Sequence, residues 1–86
     1  MGEFIRKFMQ LNGRMATVTL KHYLFGTQCF RTQALNFIDD HERLGLVLKG
    51  QDVFVYKERL CEIELNNNTV IFADDKLKIA IKLVDN

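Results

Sequence analysis

Residues 76–83 read KLKIAIKL. Leu77, Ile79, Ile81 and Leu83 fall at every second position, with Lys76, Lys78, Ala80 and Lys82 between them. A period of two is what a strand with one buried and one wet face produces, and a helix would scatter the same residues around its axis. Ala16, Val18 and Leu20 repeat the pattern against Thr17 and Thr19. Proline is absent, so glycine, Asn and Asp do the punctuating. KHYLFGT reads as a turn around Gly26, DDHER as a polar turn, and the run Asn66–Asn68 as a hairpin, because Asn tolerates positive φ. LGLVLK, DVFVY, RLCEIEL and TVIFA read as short strands. The long stretch QCFRTQALNFID alternates weakly, as a bent strand would.

The N-terminus differs. In GEFIRKFMQLNG, Phe4, Ile5, Phe8, Met9 and Leu11 share one face at i, i+3 and i+4 spacings, and Asn12-Gly13 is a C-terminal stop. This predicts one short helix, followed by about seven short strands. Helix and strand do not alternate, which argues against a doubly wound parallel sheet, and a small, strongly bent antiparallel barrel is expected.

Eighty-six residues make one domain with a modest core, of the kind that gains stability by assembling. No apolar run approaches the ~20 residues that span a bilayer. No signal-peptide core opens the chain. A cytoplasmic protein without a membrane partner is expected. Cys29 and Cys61 stand apart and read as two buried small hydrophobes in a reducing compartment. The net charge of +1 is too small for a typical duplex-DNA binder. It is uneven: residues 1–38 hold five basic side chains against Glu3, and residues 39–86 hold seven against ten acidic.

The segments TVTL, FRTQALNFID and LGLVLKGQDVFVYKERLCEIEL, after a short helix, resemble the Sm-like (LSm) family, and within it the bacterial RNA chaperone Hfq. Leu48-Lys49, Val55-Tyr56-Lys57 and Leu60-Cys61 carry the likeness, which covers residues 4–65. It implies a mainly β fold: an N-terminal helix and a five-strand, SH3-like barrel over residues 1–65. Residues 66–86 are then a C-terminal β-hairpin extension of the same domain. It further implies a homo-oligomeric hexamer or heptamer ring, closed by pairing the fourth strand of one subunit with the fifth of the next. Such a ring binds single-stranded RNA as a chaperone or scaffold, without enzymatic activity, cofactor or metal.

Tyr56 and Lys57 match the family's Tyr-Lys dyad. Glu58 stands where Hfq has a pore histidine. Leu44, preceded by Arg43, stands where a base-stacking aromatic belongs, and Thr19 where a tyrosine belongs. The RNA-contact set implied is Lys57, Tyr56, Arg43, Leu44 and Glu58. The longer first loop puts His22, Tyr23 and Phe25 on a surface the family lacks. The rival reading is a ring-forming or monomeric protein-interaction module that kept the barrel and lost RNA binding.

Other charged groups have two readings each. Lys57 and Arg43 also read as solvated turn charges. Asp39, Asp40, His41 and Glu42 read as a polar turn, because consecutive residues rarely converge on one metal ion. Glu62 and Glu64 read as a solvated strand face instead of an acid–base pair. Lys76, Lys78 and Lys82 read as guards against unwanted strand pairing, or as a second nucleic-acid surface.

Overall fold

A computed structural model describes residues 15–32, 36–48, 50–66 and 68–84. The expected N-terminal helix lies outside the described residues. Those described form eight strands: β1 (Ala16–His22), β2 (Gly26–Thr32), β3 (Asn36–Asp39), β4 (Arg43–Leu48), β5 (Gln51–Tyr56), β6 (Glu62–Leu65), β7 (Thr69–Ala73) and β8 (Leu77–Leu83). The fold is mainly β, and every strand pairing is antiparallel. One sheet has the order β2-β1-β8-β7-β6, the other β3-β4-β5.

The alternating segment Leu77–Leu83 is the centre of the larger sheet. β8 pairs with β1 through Val18↔Ile81 and Leu20↔Ile79, and with β7 through Val70↔Ile81 and Phe72↔Ile79. All six of these side chains are buried. They meet Leu44, Leu46, Leu48 and Val55 of the smaller sheet in one core. The strand beside β1 is therefore β8. RLCEIEL, expected as a strand, supplies β6 at the edge of the same sheet. The reason is apolar content: β8 delivers four buried aliphatic residues on one face, whereas Ile63 of β6 remains exposed.

The expected long strand from Gln28 to Asp39 is two strands in different sheets. Phe30 and Phe37 both pack against the core. They are an odd number of residues apart, so one straight strand would point them to opposite faces. Division between the sheets turns both inward, which explains the weak alternation of this stretch.

The turns use local chemistry. Asp40 Oδ1 accepts the backbone N–H groups of Glu42 (3.0 Å) and Arg43 (2.6 Å). Asp74 Oδ1 does the same for Lys76 and Leu77, both at 2.8 Å. Each is an Asp side chain mimicking a backbone turn. Gly26 and Gly50 turn the chain at φ 89° and 80°. Lys57–Arg59 form a short 3-10 helix that carries the chain from the small sheet to the large one. Both cysteines are exposed, against expectation. Cys29 is on the outer face of β2 opposite Thr19, whose hydroxyl donates to its Sγ at 3.6 Å. Cys61 follows the 3-10 helix and donates to the Ala73 carbonyl at 3.5 Å.

Gly45 of β4 is buried, and Phe54 stands opposite it in register. A Cβ at position 45 would collide with the backbone of Val53 and Phe54, which β4–β5 pairing holds in place. Gly45→Ala is expected to destabilise the fold by about 3 kcal/mol or more, the upper range for overpacking. A urea unfolding midpoint close to that of the unaltered protein would contradict this packing.

Candidate functional site

Arg43 and Tyr56 face each other directly across β4 and β5. The Tyr56 ring meets Phe54 edge-on at 5.4 Å, and the Arg43 guanidinium lies 5.0 Å above the Phe54 ring. A depression of about 350 Å³ beside them is lined by His41, Glu42, Tyr56, Lys57 and Glu58. The fold thus brings Tyr56, Lys57 and Glu58 to one rim, with Arg43 alongside.

The cations Lys57 and Arg43 of this rim are already engaged. Lys57 Nζ lies 2.5 Å from Asp39 Oδ1 and donates to the Asp40 carbonyl at 2.6 Å. The two side chains are 24% and 17% exposed, so the pair is largely withdrawn from solvent. Asp39 Oδ2 is buried without a hydrogen-bond partner among the described residues, so Lys57 is the main compensation for that charge. Arg43 holds Asp40 through Nε at 2.8 Å and a second nitrogen at 2.7 Å, and reaches toward Asp52 at 3.9 Å. The hydrogen bond from Arg43, with backbone N–H groups of Glu42 and Arg43 in support, holds the Asp40 carboxyl below its ordinary value. The same bond raises the Arg43 value.

The charged lining outside these pairs is acidic, Glu42 and Glu58, both exposed, with exposed Arg59 beside Tyr56 as a counter-charge. Leu44, read from the sequence as an RNA contact, is completely buried and belongs to the core. It alternates with Arg43, so β4 cannot present both side chains to one ligand. Tyr56 is exposed, and the Arg59 guanidinium lies 6.0 Å from its ring centre. Asp39 and Asp40 point to different cations, which leaves DDHE as a structured turn. Among the described residues no group of three or more His, Cys, Asp or Glu side chains could hold a metal ion.

A second charged surface lies on the outer face of the large sheet. Register puts Arg31, Thr17 and Lys82 in one row across β2, β1 and β8, and Thr27, Lys21 and Lys78 in another. The row between holds Cys29, Thr19 and Ala80. Four cations therefore frame a floor of small side chains, about 10 Å across the strands and about 13 Å along them. Lys21, Arg31 and Lys82 are exposed and form no ion pair with a described carboxylate. Lys78 is shared with Glu62 at 3.4 Å. The acidic residues of this face, Glu62 and Glu64, lie on β6 at the far edge. Edge protection does not explain the lysines, because β8 is a central strand. The sequence supplied β8's alternation but not its neighbours, so Lys21 and Arg31 were not recognised as part of the same surface.

No protein-family model, curated protein or solved structure matches the chain. No helix among the described residues is long and apolar enough to cross a membrane.

Two outcomes follow from the rim. Removing either partner of a half-buried ion pair strands the other charge. Lys57→Met and Asp39→Asn are each expected to cost about 1–3 kcal/mol, and the double variant clearly less than their sum. Urea unfolding of the three variants measures the coupling, and strict additivity would rule the pair out as a structural element. For Asp40, a depressed folded-state value means its contribution is complete above the unfolded carboxylate value of about 3.9 and is lost as pH falls through the folded value. The stability difference between the unaltered protein and Asp40→Asn should therefore be present at neutral pH and vanish in strong acid. A difference that persisted in acid would mean the ion pair is not its source.

Proposed function

We propose that the chain is a non-enzymatic, single-stranded RNA-binding domain built on a small Sm-like barrel, and that RNA meets the outer face of β2, β1 and β8. The observation that carries this reading is the contrast between the two charged surfaces. Lys57 and Arg43 are neutralised by Asp39 and Asp40, whereas Lys21, Arg31 and Lys82 form no ion pair with a described carboxylate. Exposed cations are what displace counterions from a phosphate backbone, and paired ones contribute little to that exchange. The floor between them offers threonine hydroxyls and no aromatic ring, so contacts go to phosphate and sugar and sequence preference is weak.

A second reading, assembly without RNA, draws on other observations. Among the described residues β5 and β6 are edge strands, as are β3 and β2 at the other ends of the two sheets. β5 and β6 are the strands that a ring of the Sm-like kind would join between subunits, and joining them removes exposed edges. Glu58 and Glu42 at the rim would repel phosphate there. Both readings allow a hexamer or heptamer, in which the cationic face recurs around the ring and weak contacts add by avidity.

Filter binding to short U-rich and A-rich RNA at two salt concentrations tests the first reading. Lys21→Glu combined with Lys82→Glu should weaken binding roughly tenfold or more and flatten the salt dependence. Lys57→Ala should leave the affinity of folded protein unchanged. An effect of the lysine pair no larger than that of Lys57→Ala would refute the sheet-face site. Sedimentation tests assembly separately, and a monomer would dismiss the ring.

A further inference from the structure

Tyr23, Leu24 and Phe25 form the turn between β1 and β2, and they are 54%, 88% and 85% exposed. Single exposed apolar residues are ordinary, but three in succession at one projecting tip are a contiguous apolar patch that a partner covers. The tip is a built structure. Tyr23 N–H donates to the Lys76 carbonyl at 3.2 Å, which ties it to the turn before β8. The His22 and Phe25 rings meet edge-on at 6.1 Å. With Asp75 and Lys76 these residues line an open depression of about 460 Å³.

Charge is ordered behind the apolar end. Lys21 and Lys78 stand directly opposite each other one residue behind His22, and Lys76 lies beside Tyr23. Asp74 is buried and its carboxylate is occupied by the N–H groups of Lys76 and Leu77, which leaves Asp75 as the opposing exposed charge at the tip. The hairpin end therefore runs from Leu24 and Phe25, through Tyr23, to Lys21 and Lys76, with Lys78, shared with Glu62, beside them.

We propose that this tip inserts into the surface of a bilayer containing anionic phospholipid. Leucine and phenylalanine suit the acyl boundary, tyrosine suits the headgroup level, and lysines behind it meet the headgroup phosphates. Leu24, the most exposed of the three, decides against a base-stacking platform, since an aliphatic side chain offers no ring for a base. A second copy of the chain is the rival occupant, because the cleft between the sheets carries Leu20, Phe30, Leu48 and Val53 beside Gln28 and Gln51. The lysines behind the tip favour the anionic surface, since that cleft presents no carboxylate cluster to meet them. One tip gives weak, reversible attachment, and several on one assembly would act together.

The chain contains no tryptophan, so Phe25→Trp introduces a single indole. In the full-length protein its emission should shift to the blue with phosphatidylserine-containing vesicles and stay unchanged with pure phosphatidylcholine. Flotation of the unaltered protein with the anionic vesicles should fall roughly fivefold or more in Leu24→Ser/Phe25→Ser, whose substituted side chains are exposed and outside the core. An unaltered urea midpoint for that variant confirms that folding is intact. Equal flotation of the two proteins overturns the proposal. So does an indole shift that appears with RNA and not with vesicles, or one that depends on protein concentration alone.

Discussion

The central position of β8 is the constraint on which the rest depends. Its inward residues Leu77, Ile79, Ile81 and Leu83 are buried between the two sheets, and its neighbours β1 and β7 contribute Val18, Leu20, Val70 and Phe72 to the same layer. In a chain of this size that layer is a large share of all apolar burial. Because side chains alternate, fixing the inward set also fixes the outward set. Lys78 and Lys82 are held on the outer face by the same register that buries Ile79 and Ile81. A one-residue slip would bury lysines and expose the aliphatic row, so the cationic surface is as firmly specified as the core.

Carboxylates organise two of the turns. Two Asp-Asp pairs, at 39–40 and 74–75, each use one member to close a turn. In the first pair the remaining Asp is largely buried and takes Lys57. In the second the remaining Asp is exposed. The same dipeptide thus supplies a buried charge in one place and a surface charge in the other. The difference arises from the 3-10 helix after β5, which carries Lys57 back over the first turn through its N–H bond to the Glu42 carbonyl at 2.8 Å.

Strand existence was legible from the sequence wherever one face is buried. β1, β4, β5, β7 and β8 all carry apolar residues at alternate positions, and the turns at Gly26, Asp40, Gly50, Asn66 and Asp74 carry residues with a local mechanism. Sheet order was less legible, because pairing of β8 with β1 joins segments more than fifty residues apart and no local preference encodes it. The same gap governed the site residues. Tyr56, Lys57 and Glu58 lie at one rim because they are consecutive. That Lys57 is spoken for by Asp39, and that Leu44 lies inward, follow from tertiary placement alone. A sequence shows which side chains carry charge; it does not show which charges are already paired.

That distinction accounts for how a net charge of +1 coexists with a cationic face. Net charge sums groups that are spent on one another with groups that are not, whereas a polyanion or an anionic surface responds to the second kind. Here Asp39, Asp40 and Glu62 are used against Lys57, Arg43 and Lys78, and Asp74 against backbone N–H groups. The cations outside those pairs include Lys21, Arg31, Lys76 and Lys82, which lie on or beside one half of the large sheet. Of the exposed carboxylates, Glu42, Glu58 and Glu64 lie at the rim and on β6, away from that half, and Asp75 alone among these stands beside it, next to Lys76. A chain close to neutrality is therefore strongly polarised, with an anion-attracting face on β2-β1-β8 and an anion-repelling rim beyond β5. A ligand drawn to the first would be turned away from the second, so the polarity orients it before any short-range contact forms.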